Sequence, residues 1–259
     1  MNTQPIGIFD SGIGGTSIFK EIHAFLPHEN TIYLADSKNA PYGQKTKEEI
    51  IALSIKNTEL LLEKNCKLIV VACNTATTNA IKILRDTYNV PFIGIEPAIK
   101  PAALNTKTKT IGILATKGTL SSELFHNTTD VYTNSIKILE QVGEGIVLLI
   151  EAGKANSVEM KALLETYIKP MIIADIDYLV LGCTHYPYII PTLLELLPKH
   201  VKIIDSGLAV AKQTKSILEQ YELLNSSARI PENIFYSNSN VAVLESVLEG
   251  KFKVSHLGF

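Results

Sequence analysis

Short apolar runs alternate with stretches of helical periodicity along the whole chain. The runs are IGIFD (6–10), TIYLAD (31–36), LIVVAC (68–73), PFIGI (91–95), TIGILA (110–115), YTNSIKIL (132–139), YLVLG (178–182), VKIID (201–205) and a late NIFYS (233–237). Between them, 46–65, 76–89, 158–173 and 190–198 carry the spacing of helices. Near-continuous apolar strands alternating with helices predict an α/β fold of mainly parallel sheets covered on both faces. Such sheets bind ligands beyond the carboxyl ends of their strands. The residues that follow each run therefore carry the functional information.

Those residues are polar and specific. IGIFD leads into Ser11-Gly12-Ile13-Gly14-Gly15, LIVVAC into Asn74-Thr75, TIGILA into Thr116-Lys117-Gly118-Thr119, YLVLGC into Thr184-His185, and VKIID into Ser206-Gly207. IGIFDSGIGG at Ile6 resembles IGILATKGTL at Ile111, 105 residues later, and Cys73 and Cys183 end their runs 110 residues apart. Self-similarity at this period predicts two similar α/β domains related by a pseudo-two-fold axis, with the active site in the cleft between them. The expected division is 1–97 plus 207–259 for the first domain and 98–206 for the second. The prolines of IEPAIKPAAL mark the outward crossing and DSGLAV the return.

Composition narrows the setting. The chain has 259 residues, 46% of them hydrophobic and 19% charged, with a formal net charge of -2. Signs are mixed throughout, so no basic nucleic-acid face and no polybasic membrane arm is expected. No apolar run approaches the ~18 residues of a membrane span. The N-terminus lacks the pattern of a signal peptide. A cytoplasmic location with reduced thiols is expected. The three cysteines, Cys66, Cys73 and Cys183, are too few and too scattered for a disulfide framework or a closed zinc site.

Cys73 ends an apolar run and opens a helix, where backbone N–H groups and the helix dipole lower a thiol pKa. The rival reading is a small buried hydrophobe, and Cys66 fits that reading. Cys183 occupies the matching place in the second half, with His185 two residues on, and a neighbouring histidine poises a thiol. Asp10 is either a helix N-cap or a cleft carboxylate that assists proton transfer or binds an ammonium group. The Gly12-x-Gly14 turn with Asp36 downstream imitates a dinucleotide fingerprint, but Asp10 would oppose a pyrophosphate at that helix start. Pro41-Tyr42-Gly43 reads as a turn, Thr116, Thr119 and Thr184 as caps or substrate donors, and Glu151 as a solvated helix residue.

Taken together, FDSGIGG, ADSKNAPYG, VVACNTAT, IEAG, LGCTHYP and DSG in this order resemble the glutamate racemases of the aspartate/glutamate racemase family. The resemblance implies an isomerase that needs no cofactor and no metal and supplies D-glutamate for peptidoglycan. It implies that Cys73 and Cys183 are the two acid/bases, one on each face of the α-carbon, with Asp10 assisting near Cys73 and His185 near Cys183. It further implies substrate contacts from Asp10, Ser11, Tyr42, Gly43, Asn74, Thr75, Thr119, Glu151, Thr184 and His185, and allows a homodimer. Cysteine suits the chemistry, because its pKa is the nearest to neutrality among strong carbon bases. Ala115-Thr116 and the late YSNSN depart from the family pattern. With so short a lead before the first strand, control by a cell-wall precursor is not expected. Three other readings stay open: an aspartate or other amino-acid racemase, a metal site on Cys73, Cys183 and His185, and a non-catalytic amino-acid-binding module.

Overall fold

The structure, a computed structural model, describes residues 2–227 and 229–259. Its strands are β1 (Ile6–Asp10), β2 (Thr31–Ala35), β3 (Leu68–Val71), β4 (Phe92–Gly94), β5 (Thr110–Ala115), β6 (Lys137–Val142), β7 (Tyr178–Gly182), β8 (Lys202–Ile204), β9 (Asn233–Ser237) and β10 (Val254–His256). They form two sheets, ordered β10-β9-β2-β1-β3-β4 and β6-β5-β7-β8. Every pairing is parallel. The order β2-β1-β3-β4 thus recurs as β6-β5-β7-β8.

The repeat extends to register. Ile6 pairs with Leu68, and Ile111 pairs with Tyr178. Cys73 and Cys183 each lie five residues beyond those partners (73 − 68 and 183 − 178), so both end a central strand at the same place in their sheets. The sequence-level offset is therefore a structural equivalence.

Alternation along the strands builds the core. Leu68 and Val70 join the largest apolar cluster, while Ile69 and Val71 turn to a second on the other face of the first sheet. Leu179 and Leu181 also join the largest cluster, and Val180 turns to a third. One continuous core therefore runs between the sheets. The helix Lys47–Glu63 begins with a capping box between Thr46 and Glu49, a device that contributes about 1 kcal/mol.

The expected strand at 132–139 is corrected. Tyr132 and Thr133 end the helix Glu123–Thr133, which Ser122 caps at its start, and the strand runs from Lys137 to Val142. Its half-exposed, polar-rich pattern suits the edge of a sheet, and Glu140 and Gln141 hide the strand's end from a search for apolar runs. β10, another short edge strand, is hidden for the same reason.

The chain crosses between the sheets after β4 and returns after β8. At the crossings the Ser206 hydroxyl donates to the Glu96 carbonyl, so the outward and return segments are tied to each other. The helix Gly207–Gln220 then packs on Thr16–Phe25. Beyond it, Lys67 forms a buried ion pair with Glu29 at 2.6 Å and donates to the Leu223 carbonyl at 2.7 Å. Glu29 Oε1 accepts from the Asn225 N–H at 2.7 Å. Breaking such a pair leaves a buried charge alone, which costs about 3–5 kcal/mol. Lys67→Met should lower the free energy of urea unfolding by about that amount, and adding Glu29→Leu should restore much of it. A single-variant loss well under 1 kcal/mol would contradict this account.

Candidate active site

Cys73 caps the helix Asn74–Thr87 and accepts from the Ala76 N–H at 3.5 Å. Its thiol donates to Ser11 Oγ at 3.7 Å. The expectation that the helix start lowers its pKa is corrected. Burial and the negative charge of Asp10 outweigh those two hydrogen bonds and push the thiol far up, with Cys183 adding to the effect. Cys73 is therefore held as a thiol. Cys66 has a quieter setting: it packs against Gly7 and Leu61, and burial pushes it up to about 12.

Asp10 is fully buried at the end of β1. It accepts from the Gly12 N–H and from the Thr184 hydroxyl, each at 3.1 Å. Burial raises its pKa, and the charge of His185 pulls it part of the way back. Asp10 thus reaches Cys73 by its field and Thr184 by contact.

The Nδ1 of His185 lies 3.8 Å from the Cys183 sulfur, and its Nε2 lies 2.6 Å from Glu151 Oε1. The Gly14 N–H also approaches Nε2, at 3.3 Å. One nitrogen cannot donate and accept at once, and the shorter contact to a carboxylate assigns Nε2 as the donor. Burial by itself would lower the His185 pKa. Hydrogen bonds to Cys183 and Glu151, with the charge of Asp10, outweigh it and hold the imidazole well above its ordinary 6.5. Glu151 is accordingly no solvated residue: it also accepts from the Ile13 N–H at 2.7 Å and from the Ser37 hydroxyl at 3.1 Å.

These contacts explain the glycine turn. A Cβ on Gly12 would strike the Glu151 carboxylate, and one on Gly14 would strike the His185 ring. The turn lets the second sheet's side chains approach the backbone; phosphate binding is not needed to account for it. Elsewhere along the seam, Thr75 Oγ1 lies 2.8 Å from Thr116 Oγ1, Asn79 donates to the Gly118 carbonyl at 3.1 Å, and Thr16 meets the Tyr188 hydroxyl at 2.5 Å.

A cavity of about 240 Å³ lies in this seam. Among the residues expected from the sequence, Ser11, Tyr42, Gly43, Cys73, Asn74, Thr75, Cys183, Thr184 and His185 line it. Asp10, Thr119 and Glu151 stand behind its walls, and Thr119 reaches it through Thr116 at 3.0 Å. Pro41, Thr116 and Val147 also line it. Thr116 reads from the sequence as a cap or a substrate donor, and it both caps its helix and lines the cavity; nothing in the sequence marked Val147. A larger groove of about 570 Å³ adjoins the cavity and shares Pro41, Gly43, Thr116 and Val147 with it. Among the described residues, no group of three His, Cys, Asp or Glu side chains could hold a metal ion, including Cys73, Cys183 and His185. No described helix is long and apolar enough to cross a membrane.

A parallel α/β fold with two thiols at equivalent strand ends in one small polar cavity has the make-up of an acid–base enzyme for a small substrate. The chain belongs to the Asp/Glu/Hydantoin racemase family, whose profile matches residues 12–214. It is 44% identical to a glutamate racemase of Herpetosiphon aurantiacus, covering 87% of this chain and 89% of that one. A glutamate racemase of Cupriavidus pinatubonensis is 40% identical, with 95% and 91% covered. The fold also superposes on Escherichia coli glutamate racemase, solved with L-glutamate and the activator UDP-MurNAc-Ala, with a TM-score of 0.87, 32% identity and coverage of 98% and 97%.

The raised pKa of His185 sets a pH dependence. A group that binds its proton more tightly when folded contributes its full stability below the unfolded pKa, here 6.5, and loses it as pH rises through the folded value. The stability deficit of His185→Gln, read from urea midpoints, should be largest near pH ~6 and shrink as pH rises through the raised folded value. A deficit that grows with pH would contradict the assignment.

Proposed function

We propose that this protein interconverts L- and D-glutamate by two-base proton transfer between Cys73 and Cys183, and so supplies D-glutamate for peptidoglycan synthesis. The observation that carries this reading is the arrival of two thiols, from equivalent strand ends of two sheets, in one cavity. Inverting an α-carbon needs a base on one face and an acid on the other, with roles that exchange when the direction reverses.

In the L-to-D direction Cys183 is the base. The imidazolium of His185, oriented by Glu151, lies against the Cys183 sulfur that takes the proton. The Cα–H bond breaks, its proton passes to the Cys183 sulfur, and the electron pair spreads into the α-carboxylate. The Cys73 thiol then gives its proton to the opposite face. In the D-to-L direction Cys73 must be the thiolate, and its surroundings oppose that until the substrate arrives. A substrate ammonium beside Asp10 offsets the carboxylate charge that raises Cys73. The Asn74 Oδ1, buried with no partner among the described residues, is a second acceptor for that ammonium. The hydroxyls of Ser11, Thr75 and Thr184, with Tyr42 and Gly43, complete the substrate contacts, while Thr119 acts through Thr116.

Two sulfurs suffice as acid and base, so the reading requires no cofactor. Glutamate as substrate rests on the relatives, whose names give glutamate racemase. The cytoplasm as compartment and a homodimer as assembly belong to the same proposal, and sedimentation equilibrium tests the latter.

The deciding assay supplies L-glutamate in deuterium oxide without added cofactor. The circular dichroism signal should decay to zero while deuterium replaces the α-proton; persistent optical activity sinks the proposal. Cys73→Ser and Cys183→Ser should each lower kcat by about 10²–10⁴-fold, and a fully active single variant would remove that cysteine from its role. L-aspartate in the same assay separates the two substrates.

A further inference from the structure

Asp36 stands one residue beyond β2 and is 2% exposed. Its N–H donates to the Asp10 carbonyl at 3.0 Å, which sets it beside the first carboxylate of the site. Oδ2 accepts from the Tyr42 hydroxyl at 2.5 Å, and Oδ1 accepts from Asn39 Nδ2 at 2.7 Å and Asn238 Nδ2 at 2.5 Å. The Tyr42 hydroxyl accepts in turn from Asn57 Nδ2 at 3.0 Å. Asn238 also accepts from the Lys38 N–H at 2.9 Å. The 36–43 loop and the end of β9 meet on one carboxylate, and the helix Lys47–Glu63 joins the network one step away through the Tyr42 hydroxyl.

Pro41, Tyr42 and Gly43 line the thiol cavity, whereas Asp36, Asn57 and Asn238 do not. The Tyr42 hydroxyl is fully committed behind the wall, its one proton to Asp36 and a lone pair to Asn57. Burial and Asp36 hold this phenol well above its ordinary pKa, so it remains a donor. Tyr42 therefore meets the cavity with its ring and backbone.

We propose that Asp36 is a positioning residue that fixes the Pro41-Tyr42-Gly43 wall of the thiol cavity through the Tyr42 hydroxyl, with Asn238 anchoring it to β9. The role in turnover rests on the glutamate-racemase reading; the role in holding the wall does not. Cys73, Cys183 and His185 have their own contacts, so loosening the wall weakens substrate binding more than proton transfer. The divergent YSNSN segment gains a purpose here, because its Asn238 supplies one of the three donors to Asp36.

The test compares full-length wild type, Asp36→Asn, Tyr42→Phe and the double variant in two assays. In glutamate racemisation, each single variant should raise KM about 5–10-fold, the net worth of one ordinary hydrogen bond, with the smaller change in kcat. Because both substitutions remove the same bond, the double variant should be no worse than the poorer single one. In the second assay a thiol reagent labels the unliganded proteins, and peptide mass spectrometry reads Cys73 against Cys66. Labelling of Cys73 relative to Cys66 should rise about 5–10-fold in each variant. Should Asp36→Asn fail to fold, Asn238→Ala takes its place, with a smaller rise expected in the same direction. Multiplying KM effects, or a lowered melting temperature with KM and the labelling ratio unchanged, would overturn the proposal. The labelling arm decides it even if wild type leaves glutamate untouched, an outcome that would fall on the racemase reading alone.

Discussion

A carboxylate sealed from water ends the first strand, and the surrounding site is arranged to tolerate it. An ionised Asp10 without partners would cost several kcal/mol in such a place. Its own sheet offers it the Gly12 N–H. The Thr184 hydroxyl and the opposing charge of His185 come from beyond β7, in the other sheet. Compensation of the first half's buried charge therefore depends on the second half being in place. Closure of the seam and the electrostatics of the cavity are one phenomenon.

This constraint makes two topologically equivalent thiols chemically different. The strand order and register treat Cys73 and Cys183 alike. Their neighbours do not. Cys73 faces a buried negative charge and a hydroxyl, whereas Cys183 faces an imidazole that Glu151 keeps protonated. A thiol that holds its proton and an imidazolium beside the other sulfur give the two sides of the cavity unlike electrostatics. Racemisation needs one sulfur to give a proton while the other takes one, and the unlike surroundings distinguish the two sulfurs before any substrate binds.

Much of this was legible in the sequence, because the informative signals are local. Apolar runs located the central strands, and the polar residues after them located the cavity. The 110-residue spacing of the cysteines was already the structural repeat. What escaped notice depends on contacts between distant segments. Glu151 reads as an ordinary helix residue until Ile13, Ser37 and His185 converge on it. The helix start at Cys73 is visible in sequence, whereas the burial of the thiol and the nearby charge of Asp10, which outweigh it, are not. Asp36 was noticed only as part of a nucleotide-binding mimic. Its partner Asn238 lies some two hundred residues on, and Asn57 reaches it only through Tyr42, so no spacing rule brings the network together.

The bond between Ser206 and Glu96 has a mechanical meaning. Two covalent connections join the halves, and this contact ties them side by side. Paired connections at one edge leave rotation about that edge as the easy motion, while sliding or twisting would strain both. The polar contacts of the seam form the free edge of such a jaw. The thiol cavity lies along that seam and adjoins the larger groove at Pro41, Gly43, Thr116 and Val147. A rotation about the Ser206–Glu96 tie would therefore change the width of the thiol cavity while leaving each sheet intact.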